Sequence, residues 1–533
     1  MQKPSDDALP GGEILIGITG AGVLALEVLA SRMMTPYFGV SLFIWSGILS
    51  MTLTLLAVGY WSGGWWARRG DRSAVRFAFL GAPIVASVAV AVAALVYPLL
   101  FSALARVDLV FGSFAASAIL LSVPLIALSA MNPLLVALRR RKDSEERGDA
   151  GAGRIFFLST MGSVAGVLIT AFVFIPMLTN FRAFLLVGAI LAVAALVMTA
   201  QSRGVEARRR RQLLAAGLVA TAVCAGLAVW QASYLDLFEA RDGSRYRVVA
   251  SYGSMYGTIK VADAYPPDGA QPTMRIYLQD GLVQNRVRPD NVSLSLYTHM
   301  VEALALASAP KARDALVLGL GAGIVPRRLK CEGMAVTVID INHQALAVAN
   351  RHFGFDATDM TIITADARTY VRDCQSAQDL IIVDLFHGDN TPDYLMTREF
   401  FADLARCLRP QGALVMNAFF DRHDDAVNRR VLATVGASFR SLAELRSPTL
   451  SAFLVATNGP PPERLILPPD LPASVRPDFE QTMRTARLVP RSALSGSEPI
   501  SDRGNIFSVL FARSEMELRQ ALSQGLPPAM LVN

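Results

Sequence analysis

Cysteine is scarce in this sequence, and its spacing gives no sign of a metal site. The chain has four cysteines in 533 residues, and Cys224 falls inside an apolar run. The other three cannot all pair within one chain, so no disulfide framework is predicted and reduced thiols are favoured. The N-terminus also lacks a short apolar core ahead of a small-residue cleavage site. We therefore expect no cleavable signal peptide and a retained first anchor.

Charged residues are few as well. They make up 18% of the chain, against 53% hydrophobic residues and a mean hydropathy of +0.39, a balance that excludes an ordinary soluble enzyme. The apolar residues are concentrated in runs of about 20 residues, the length that crosses ~30 Å of hydrocarbon as a helix. These runs predict an all-α bundle of about seven transmembrane helices over residues 1–231, embedded in a lipid bilayer. The runs are 14–34, 43–66, 77–100, 109–138, 155–177, 183–200 and 212–231.

The net charge of +6 does not indicate nucleic-acid binding, because the basic residues cluster in short loops between the apolar runs. The alternate loops carry almost none. The positive-inside rule assigns these clusters, and the N-terminus, to the cytoplasm. Seven crossings of the inner (plasma) membrane would then leave residues 232–533 on the outer side. The clusters are Arg68, Arg69, Arg72 and Arg76; Arg139, Arg140, Arg141 and Lys142; and Arg208, Arg209, Arg210 and Arg211.

The second half of the chain predicts a small β-rich subdomain over 232–310 and a Rossmann-like α/β domain over 311–533. Alternating strands and helices indicate a mostly parallel sheet with helices on both faces, which binds ligands at the carboxyl ends of its strands. Strands are expected at 246–250, 258–261 and 274–278 in the subdomain, at 315–318, 336–340, 361–364, 380–384 and 412–418 in the domain, and near 438–440 and 451–457 at its end.

Three alternate glycines, Gly319, Gly321 and Gly323, follow the first strand of the α/β domain. Glycine allows a tight turn and a close approach of the backbone to a ligand. Asp340 closes the next strand, and a carboxylate there can accept hydrogen bonds from both hydroxyls of a ribose. This combination predicts a nucleoside site.

Two more acids stand at successive strand ends of the same rim. Asp366 can accept a hydrogen bond from an exocyclic amine such as N6 of adenine. Asp384 opens a loop that contains His387 and Asp389, groups able to bind a cation or move a proton.

These motifs resemble the spermidine synthase family, the polyamine aminopropyltransferases, in a form fused to an N-terminal membrane bundle. The resemblance rests on the glycine loop, Tyr297 and the segments 254–261, 279–284, 338–340, 366–370, 382–384 and 397–400, and in the membrane half on 20–39 with Glu27, Arg32, Pro36 and Phe38.

The resemblance implies transfer of an aminopropyl group from decarboxylated S-adenosylmethionine to a small-molecule amine, with methylthioadenosine as the leaving product. The nucleoside acts as a co-substrate, and no tightly bound cofactor, metal or nucleic acid is expected. A homodimer through the soluble domain is a further expectation. The implied site residues are Asp340 for the ribose, Asp366 and Ala367 for the adenine, Gln284, Tyr297 and Tyr256 for the substrate, and Asp384, His387 and Asp389 for catalysis.

Two departures from the family pattern bear on the acceptor. His387 stands where the family has the second acid of an Asp–x–x–Asp pattern, and His299 stands where it has an acid two residues after the pocket tyrosine. Fewer carboxylates favour a less charged nucleophile than a dicationic polyamine. Methyl or aminocarboxypropyl transfer from S-adenosylmethionine, and a non-catalytic nucleoside-binding or transport role, remain alternatives. Such nucleosides are made in the cytosol, which opposes the outer location indicated by the charges.

Overall fold

The computed structural model of the protein divides into two compact units, residues 1–238 with 526–533, and residues 239–525. We refer to them as the helical unit and the α/β unit. The structure describes residues 11–39, 42–139, 148–202, 205–235, 243–375, 377–386, 391–421, 424–448, 451–459, 468, 471–523 and 526–532.

Within its described residues, the helical unit contains seven segments long and apolar enough to cross a membrane, as the apolar runs predict. The fifth segment is α5 and α6 joined by a π-helical stretch, Thr170–Phe174. The helices are α1 (Gly12–Phe38), α2 (Leu42–Arg69), α3 (Arg72–Val107), α4 (Leu109–Arg139), α5 (Gly148–Ile169), α6 (Ile175–Met177), α7 (Asn180–Gln201) and α8 (Ala207–Leu235).

Small residues bring α1 and α5 into close contact. A Cβ atom on Gly20 would lie 2.2 Å from the carbonyl oxygen of Ser159, and one on Gly162 would lie 2.0 Å from that of Gly17. The Ser163 hydroxyl donates to the Gly20 carbonyl at 2.9 Å. These two helices therefore approach at a distance that only small side chains permit.

The basic clusters of the helical unit meet at one end of the bundle. Glu13, at the start of α1, forms ion pairs with Arg139 at the end of α4 and with Arg154 in α5. Arg72, at the start of α3, donates to the carbonyl of Leu138 in α4 at 3.1 Å. The side chain of Arg209 in α8 also reaches Ser73 in α3. We call this end the basic face; α8 begins there.

The described part of the α/β unit forms two sheets. The smaller is antiparallel, in the order β1–β2–β3–β4. Its last strand was not predicted, because Gln284, Asn285 and Arg286 interrupt the β-prone pattern. The turn before that strand explains the pairing, since Asp280 and Gly281 both have positive φ, as a tight hairpin requires. The strands are β1 (Arg245–Ser254), β2 (Gly257–Tyr265), β3 (Met274–Gln279) and β4 (Leu282–Val287).

The larger sheet has the order β12–β10–β11–β9–β8–β5–β6–β7. Its neighbours from β9 to β7 are parallel, as predicted, and the pairs β9–β11, β11–β10 and β10–β12 are antiparallel. The strands are β5 (Asp314–Leu318), β6 (Ala335–Asp340), β7 (Thr361–Thr364), β8 (Gln378–Val383), β9 (Leu408–Phe419), β10 (Ser441–Arg446), β11 (Ser451–Thr457) and β12 (Arg487–Leu488).

The strand expected near 438–440 is wrong, because α14 and the turn after it occupy the chain up to that point and β10 starts at Ser441. The helices of this unit are α9 (Leu296–Ser308), α10 (Ile324–Cys331), α11 (His343–Phe353), α12 (Ala367–Arg372), α13 (Arg398–Cys407), α14 (Asp425–Gly436), α15 (Arg476–Arg484) and α16 (Phe507–Ser523).

Both faces of the larger sheet are covered by helices. Val317 of β5 belongs to a buried cluster with residues of α9, α10 and α11. Its neighbours Leu316 and Leu318 belong to a second buried cluster with residues of α13, α14 and α16. Because β6 and β8 flank β5, the chain reverses its direction of winding at β5, and a ligand site is expected at the carboxyl end of these strands.

The last described residues differ from the expectation of one domain over 311–533. Helix α17 (Pro528–Leu531) packs on α3 and belongs to the helical unit. Met530, Leu531 and Val532 are buried, so burial of apolar side chains accounts for this return of the chain.

The expectation of reduced thiols is wrong for one pair. Cys374, just after α12, and Cys407, at the end of α13, form a disulfide with their Cα atoms 4.9 Å apart. Cys331 is free and exposed, and Cys224 is free and buried. The two bonded residues are 33 positions apart in the chain. Only the packing of α12 against α13 brings them together.

Candidate active site

A cavity opens at the carboxyl ends of β5, β6, β7 and β8. The small sheet closes another side through Tyr256, Tyr277 and β4 residues. The predicted residues that line this cavity are Tyr256, Gln284, Tyr297, Gly319, Gly321, Asp340, Asp366, Ala367 and Asp384.

Two of the predicted glycines are required by the backbone. Gly319 has φ +98°, and a Cβ atom there would lie 2.2 Å from the carbonyl oxygen of Asp384. Gly323 has φ +75°, and its Cβ would lie 2.5 Å from the ring of Phe355. Gly323 is not among the residues that line the cavity; it begins α10. Its role is the close packing of the loop on Phe355.

Asp340 is held by the backbone of the glycine loop and of its own strand end. One carboxylate oxygen accepts from the N–H of Leu320 at 2.9 Å, and the other accepts from the N–H of Asn342 at 2.7 Å. Burial raises the pKa of Asp340, against the lowering effect of these two bonds. Nδ2 of Asn342 is buried with no partner among the described residues. A carboxylate acceptor beside a free amide donor suits the hydroxyls of a ribose.

Asp366 caps α12 and faces a tyrosine from the loop after β8. One of its oxygens accepts from the N–H and hydroxyl of Thr369, at 2.8 and 2.9 Å, and the other accepts from the Tyr394 hydroxyl at 2.7 Å. Burial acts to raise the pKa of Asp366, but the bonds from Tyr394 and Thr369 outweigh it and the pKa is lowered. Asp366 is therefore an ionised acceptor at neutral pH.

Asp384, directly after β8, has a strongly raised pKa. Burial raises its pKa to about 6, although hydrogen bonds to Asn417 and Tyr297 act to lower it. Nδ2 of Asn417 donates to Oδ1 of Asp384 at 3.0 Å. Nδ2 of Asn285 donates to the Tyr297 hydroxyl at 2.6 Å, which leaves the hydroxyl proton of Tyr297 directed to Asp384. A carboxyl group with a pKa near 6 can accept a proton at neutral pH.

The cavity is acidic. Its described lining contains the carboxylates of Asp340, Asp366 and Asp384 and no lysine, arginine or histidine. The remaining polar groups are neutral, and the aromatic rings of Tyr256, Phe386 and Tyr394 form part of the wall. This charge favours a cationic ligand.

Two of the predicted catalytic residues, His387 and Asp389, lie outside the described residues. His299 is described and does not line the cavity. It is buried, and its Nε2 lies 2.9 Å from the carbonyl oxygen of Ser293. The position where the family carries an acid is thus turned away from the cavity in this chain.

Four residues of the site lie outside the predicted set: Asn285, Asn342 and Tyr394 line the cavity, and Asn417 bonds Asp384. Asn285 follows the predicted residue Gln284, and Asn342 stands two residues after Asp340. Their closeness to these motifs is the sequence feature that could have identified them. Tyr394 and Asn417 gave none, because their partners Asp366 and Asp384 are 28 and 33 residues away in the chain.

The sequence is similar to known proteins of one family. The family described as spermine/spermidine synthase domain matches residues 294–446. The chain is 31% identical over 181 residues to a polyamine aminopropyltransferase of Chromobacterium violaceum, covering 31% of this chain and 69% of that protein. It is 33% identical over 133 residues to one of Vibrio vulnificus, covering 23% of this chain and 44% of that protein.

Two further proteins are similar to the chain at lower sequence identity. An N-terminal histidine N-methyltransferase of Emericella nidulans is 28% identical over 144 residues, 26% of each chain. A solved structure of a probable spermidine synthase from Corynebacterium glutamicum is 19% identical with a TM-score of 0.39, covering 48% of this chain and 96% of that one.

The parallel sheet, its glycine loop and the acids at its strand ends define a Rossmann-like domain of the methyltransferase and spermidine synthase type. Within that class the chain belongs to the spermine/spermidine synthase family, a family of transferases.

Proposed function

We propose that this chain transfers an aminopropyl group from decarboxylated S-adenosylmethionine to an amine. The observation that carries this proposal is the alignment of Asp340, Asp366 and Asp384 along one cavity at the ends of adjacent strands. Asp340 and Asn342 would bind the ribose, and Asp366 would accept a hydrogen bond from the adenine. Asp384 would face the reacting amine.

The reaction needs little covalent help from the protein. A neutral amine nitrogen attacks the aminopropyl carbon next to sulfur, and the C–S bond breaks with its electron pair staying on sulfur. Methylthioadenosine leaves, and the nitrogen loses a proton to Asp384 or to water. Alignment of the amine in line with the C–S bond would supply most of the acceleration, and proton acceptance would supply the rest.

The charge of the cavity supports the decarboxylated donor. Decarboxylated S-adenosylmethionine carries a sulfonium and an ammonium, both suited to three nearby carboxylates. S-adenosylmethionine carries a carboxylate as well, and no basic residue stands in the described lining to pair with it. A buried, unpaired carboxylate is costly.

Methyl transfer is the second candidate, because a histidine N-methyltransferase is among the relatives. It would use S-adenosylmethionine and release S-adenosylhomocysteine in place of methylthioadenosine. The two products differ in mass, so one assay separates the two reactions.

We also propose that the helical unit spans the inner membrane with its basic face in the cytoplasm and that the α/β unit is exported. Support comes from the seven membrane-length helices, from the meeting of the basic clusters at one end, and from the Cys374–Cys407 disulfide. Disulfides persist in oxidising compartments such as the periplasm and are rare in the cytosol.

The test of the proposed function uses the purified full-length chain in detergent. Decarboxylated S-adenosylmethionine or S-adenosylmethionine is supplied with a panel of mono-, di- and polyamines, and products are identified by mass spectrometry. Methylthioadenosine from the decarboxylated donor with an amine is the expected result. Release of S-adenosylhomocysteine alone would favour methyl transfer and overturn the aminopropyl assignment.

The nucleoside site is tested separately by substitution of Asp340. Asp340→Ala should weaken methylthioadenosine binding by about 1–3 kcal/mol, because the hydroxyls of the ribose lose a buried acceptor. Calorimetry with the full-length chain measures this loss. An unchanged affinity in a folded variant would remove Asp340 from the nucleoside site.

A further inference from the structure

We propose that the side-chain oxygen of Asn285 and the carboxylate of Asp384 form one binding site for a primary ammonium group. This inference rests on the proposed function, in which the donor carries an ammonium group and the acceptor is an amine that is protonated when free in neutral solution. It assigns Asn285, a residue of β4 outside the motifs on which the family resemblance rests, a direct role in substrate recognition.

The hydrogen-bond directions settle how the Asn285 amide is oriented. Its Nδ2 lies 2.6 Å from the Tyr297 hydroxyl, and that hydroxyl is bonded in turn to Asp384. A carboxylate only accepts when ionised, so the Tyr297 proton is donated to Asp384 and the Tyr297 oxygen accepts from Asn285. The amide oxygen of Asn285 is thereby left on the other side of the group, away from Tyr297.

Among the residues that the structure describes, that oxygen has no partner. Asn285 is 1% exposed and lines the cavity, and none of the described residues donates to its Oδ1. A buried acceptor without a donor is destabilising, and such groups are uncommon in folded proteins. A ligand that brings a donor into the cavity would satisfy it.

The chemistry of the surrounding groups selects an ammonium. Asp384 and the Asn285 oxygen are both acceptors, and an alkylammonium presents three N–H donors and no acceptor. One carboxylate balances one positive charge, and the neutral amide oxygen adds a hydrogen bond without a second charge. A carboxylate or phosphate ligand would meet only acceptors at this point.

His299 stands where the family resemblance implies an acid two residues after Tyr297, and it does not replace that acid in the cavity. It follows Tyr297 by two residues on α9, but it bonds Ser293 and is absent from the described lining. Among the described residues, Asn285 and Asp384 are the partners of Tyr297 that can recognise the amine.

The ammonium has two sources, the aminopropyl end of the donor or the acceptor amine. Three probes separate them by calorimetry on the full-length chain. Methylthioadenosine lacks the aminopropyl group, decarboxylated S-adenosylmethionine has it, and n-butylamine added to the methylthioadenosine complex represents the acceptor. The variants are Asn285→Ala, Tyr297→Phe and the double substitution. His299→Gln is the control, because His299 is buried and lies in the same turn of α9 as Tyr297.

Asn285→Ala should leave the affinity for methylthioadenosine within about twofold and weaken one of the two amine probes by about tenfold or more. Loss for decarboxylated S-adenosylmethionine identifies the donor end, and loss for n-butylamine identifies the acceptor. The loss should persist when Asn285→Ala is added to Tyr297→Phe, because the amide oxygen acts directly. His299→Gln should bind all three probes like the unchanged protein.

The proposal is overturned if Asn285→Ala leaves both amine probes unaffected, if it weakens methylthioadenosine equally, or if its effect disappears in the Tyr297→Phe background. These outcomes are distinct from a failure of the proposed function. A chain that releases no methylthioadenosine but still loses ammonium binding with Asn285→Ala would keep this site and lose the reaction.

Discussion

Asp384 has a raised pKa and a proposed role as proton acceptor, and these two properties predict opposite effects of Asp384→Asn on stability and on turnover. Burial raises its pKa from 3.8 to about 6, so the folded state binds the proton more tightly than the unfolded chain. The stabilisation by the protonated carboxyl is fully present below pH 3.8 and is lost as the pH rises through about 6. At pH 8 the ionised group therefore costs the fold about 3 kcal/mol.

Asp384→Asn removes this cost and the proton acceptor together. We expect the variant to be more stable than the parent at pH 8 by up to about 3 kcal/mol, with little difference near pH 4. Its turnover should fall by about 100-fold or more. Pulse proteolysis of the α/β unit measures the stability; tryptophan fluorescence does not, because all five tryptophans lie between Trp45 and Trp230. Equal stability of the two proteins at both pH values would contradict the burial of the charged group.

The parent enzyme should also show the titration of Asp384 in its activity. Turnover is expected to rise as the pH increases through about 6, because the ionised carboxylate accepts the proton. A pH–rate profile of methylthioadenosine release tests this. A flat profile between pH 5 and 8 would exclude Asp384 as the proton acceptor.

At the scale of elements, the end of β5 is pressed against the end of β8, and Gly319 makes this contact. Gly319→Ala would drive a methyl group into the Asp384 carbonyl oxygen at 2.2 Å and force alanine into a left-handed conformation. We expect a loss of stability of more than about 2 kcal/mol and loss of activity, because Asp384 moves.

Gly333, after α10, is the matched control. It also has positive φ, but a Cβ atom there meets nothing within 4 Å. Gly333→Ala should therefore cost only the backbone strain, about 1 kcal/mol, with activity retained. Proteolysis measures the stability of both variants and a turnover assay measures their activity. The difference between them separates the effect of backbone strain from that of the contact with the Asp384 carbonyl oxygen. Similar behaviour of the two variants would show that the β5–β8 contact does not govern the site.

The disulfide between α12 and α13 predicts a pattern of thiol labelling. A maleimide polymer should label two cysteines of the denatured chain without reductant, Cys224 and Cys331, and all four after reduction. The number of labelled thiols is read from the mobility of the chain on a gel. Closing a segment of this length stabilises the fold by about 3–4 kcal/mol in the chain-entropy model, so Cys374→Ser should be less stable by a similar amount. Four labelled thiols without reductant would contradict the pair.

At the scale of the whole molecule, the basic face predicts which side of the membrane each end occupies. The α1 start, the α4 end and the α5 start share the ion pairs of Glu13, and α8 begins at the same face. Under the proposed topology, seven crossings place residues after α8 on the side opposite to the basic face. We expect an alkaline phosphatase fused to Asn533 to be active and a fluorescent protein fused there to be dark.

A fusion inserted within residues 140–147, between α4 and α5 in the sequence, serves as the control and should show the reverse pattern. Bright cytoplasmic fluorescence at Asn533 with silent phosphatase would contradict the exported location. It would also conflict with a disulfide at Cys374 and Cys407, so the two experiments check one another.

Much of the site could be predicted because each of its acids ends a strand. Asp340, Asp366 and Asp384 follow short apolar runs, and parallel strands bring their carboxyl ends to one rim whatever their order in the sheet. Gly319 and Gly321 were recognisable for a similar local reason. Gly323 was recognised as well, but its partner, Phe355, was not, because it lies 32 residues further along the chain.

The sequence by itself determined the seven membrane-length helices, the alternating strands and the acidic rim, because length, apolar content and strand-end position are local properties. The tertiary structure alone decided that Asn285 and Asn417 surround Asp384, that Tyr394 reaches Asp366, that His299 turns away and that Cys374 meets Cys407. Each of these contacts, or its absence, depends on strand order and helix packing, which bring distant parts of the chain together and leave no mark in the spacing of the residues.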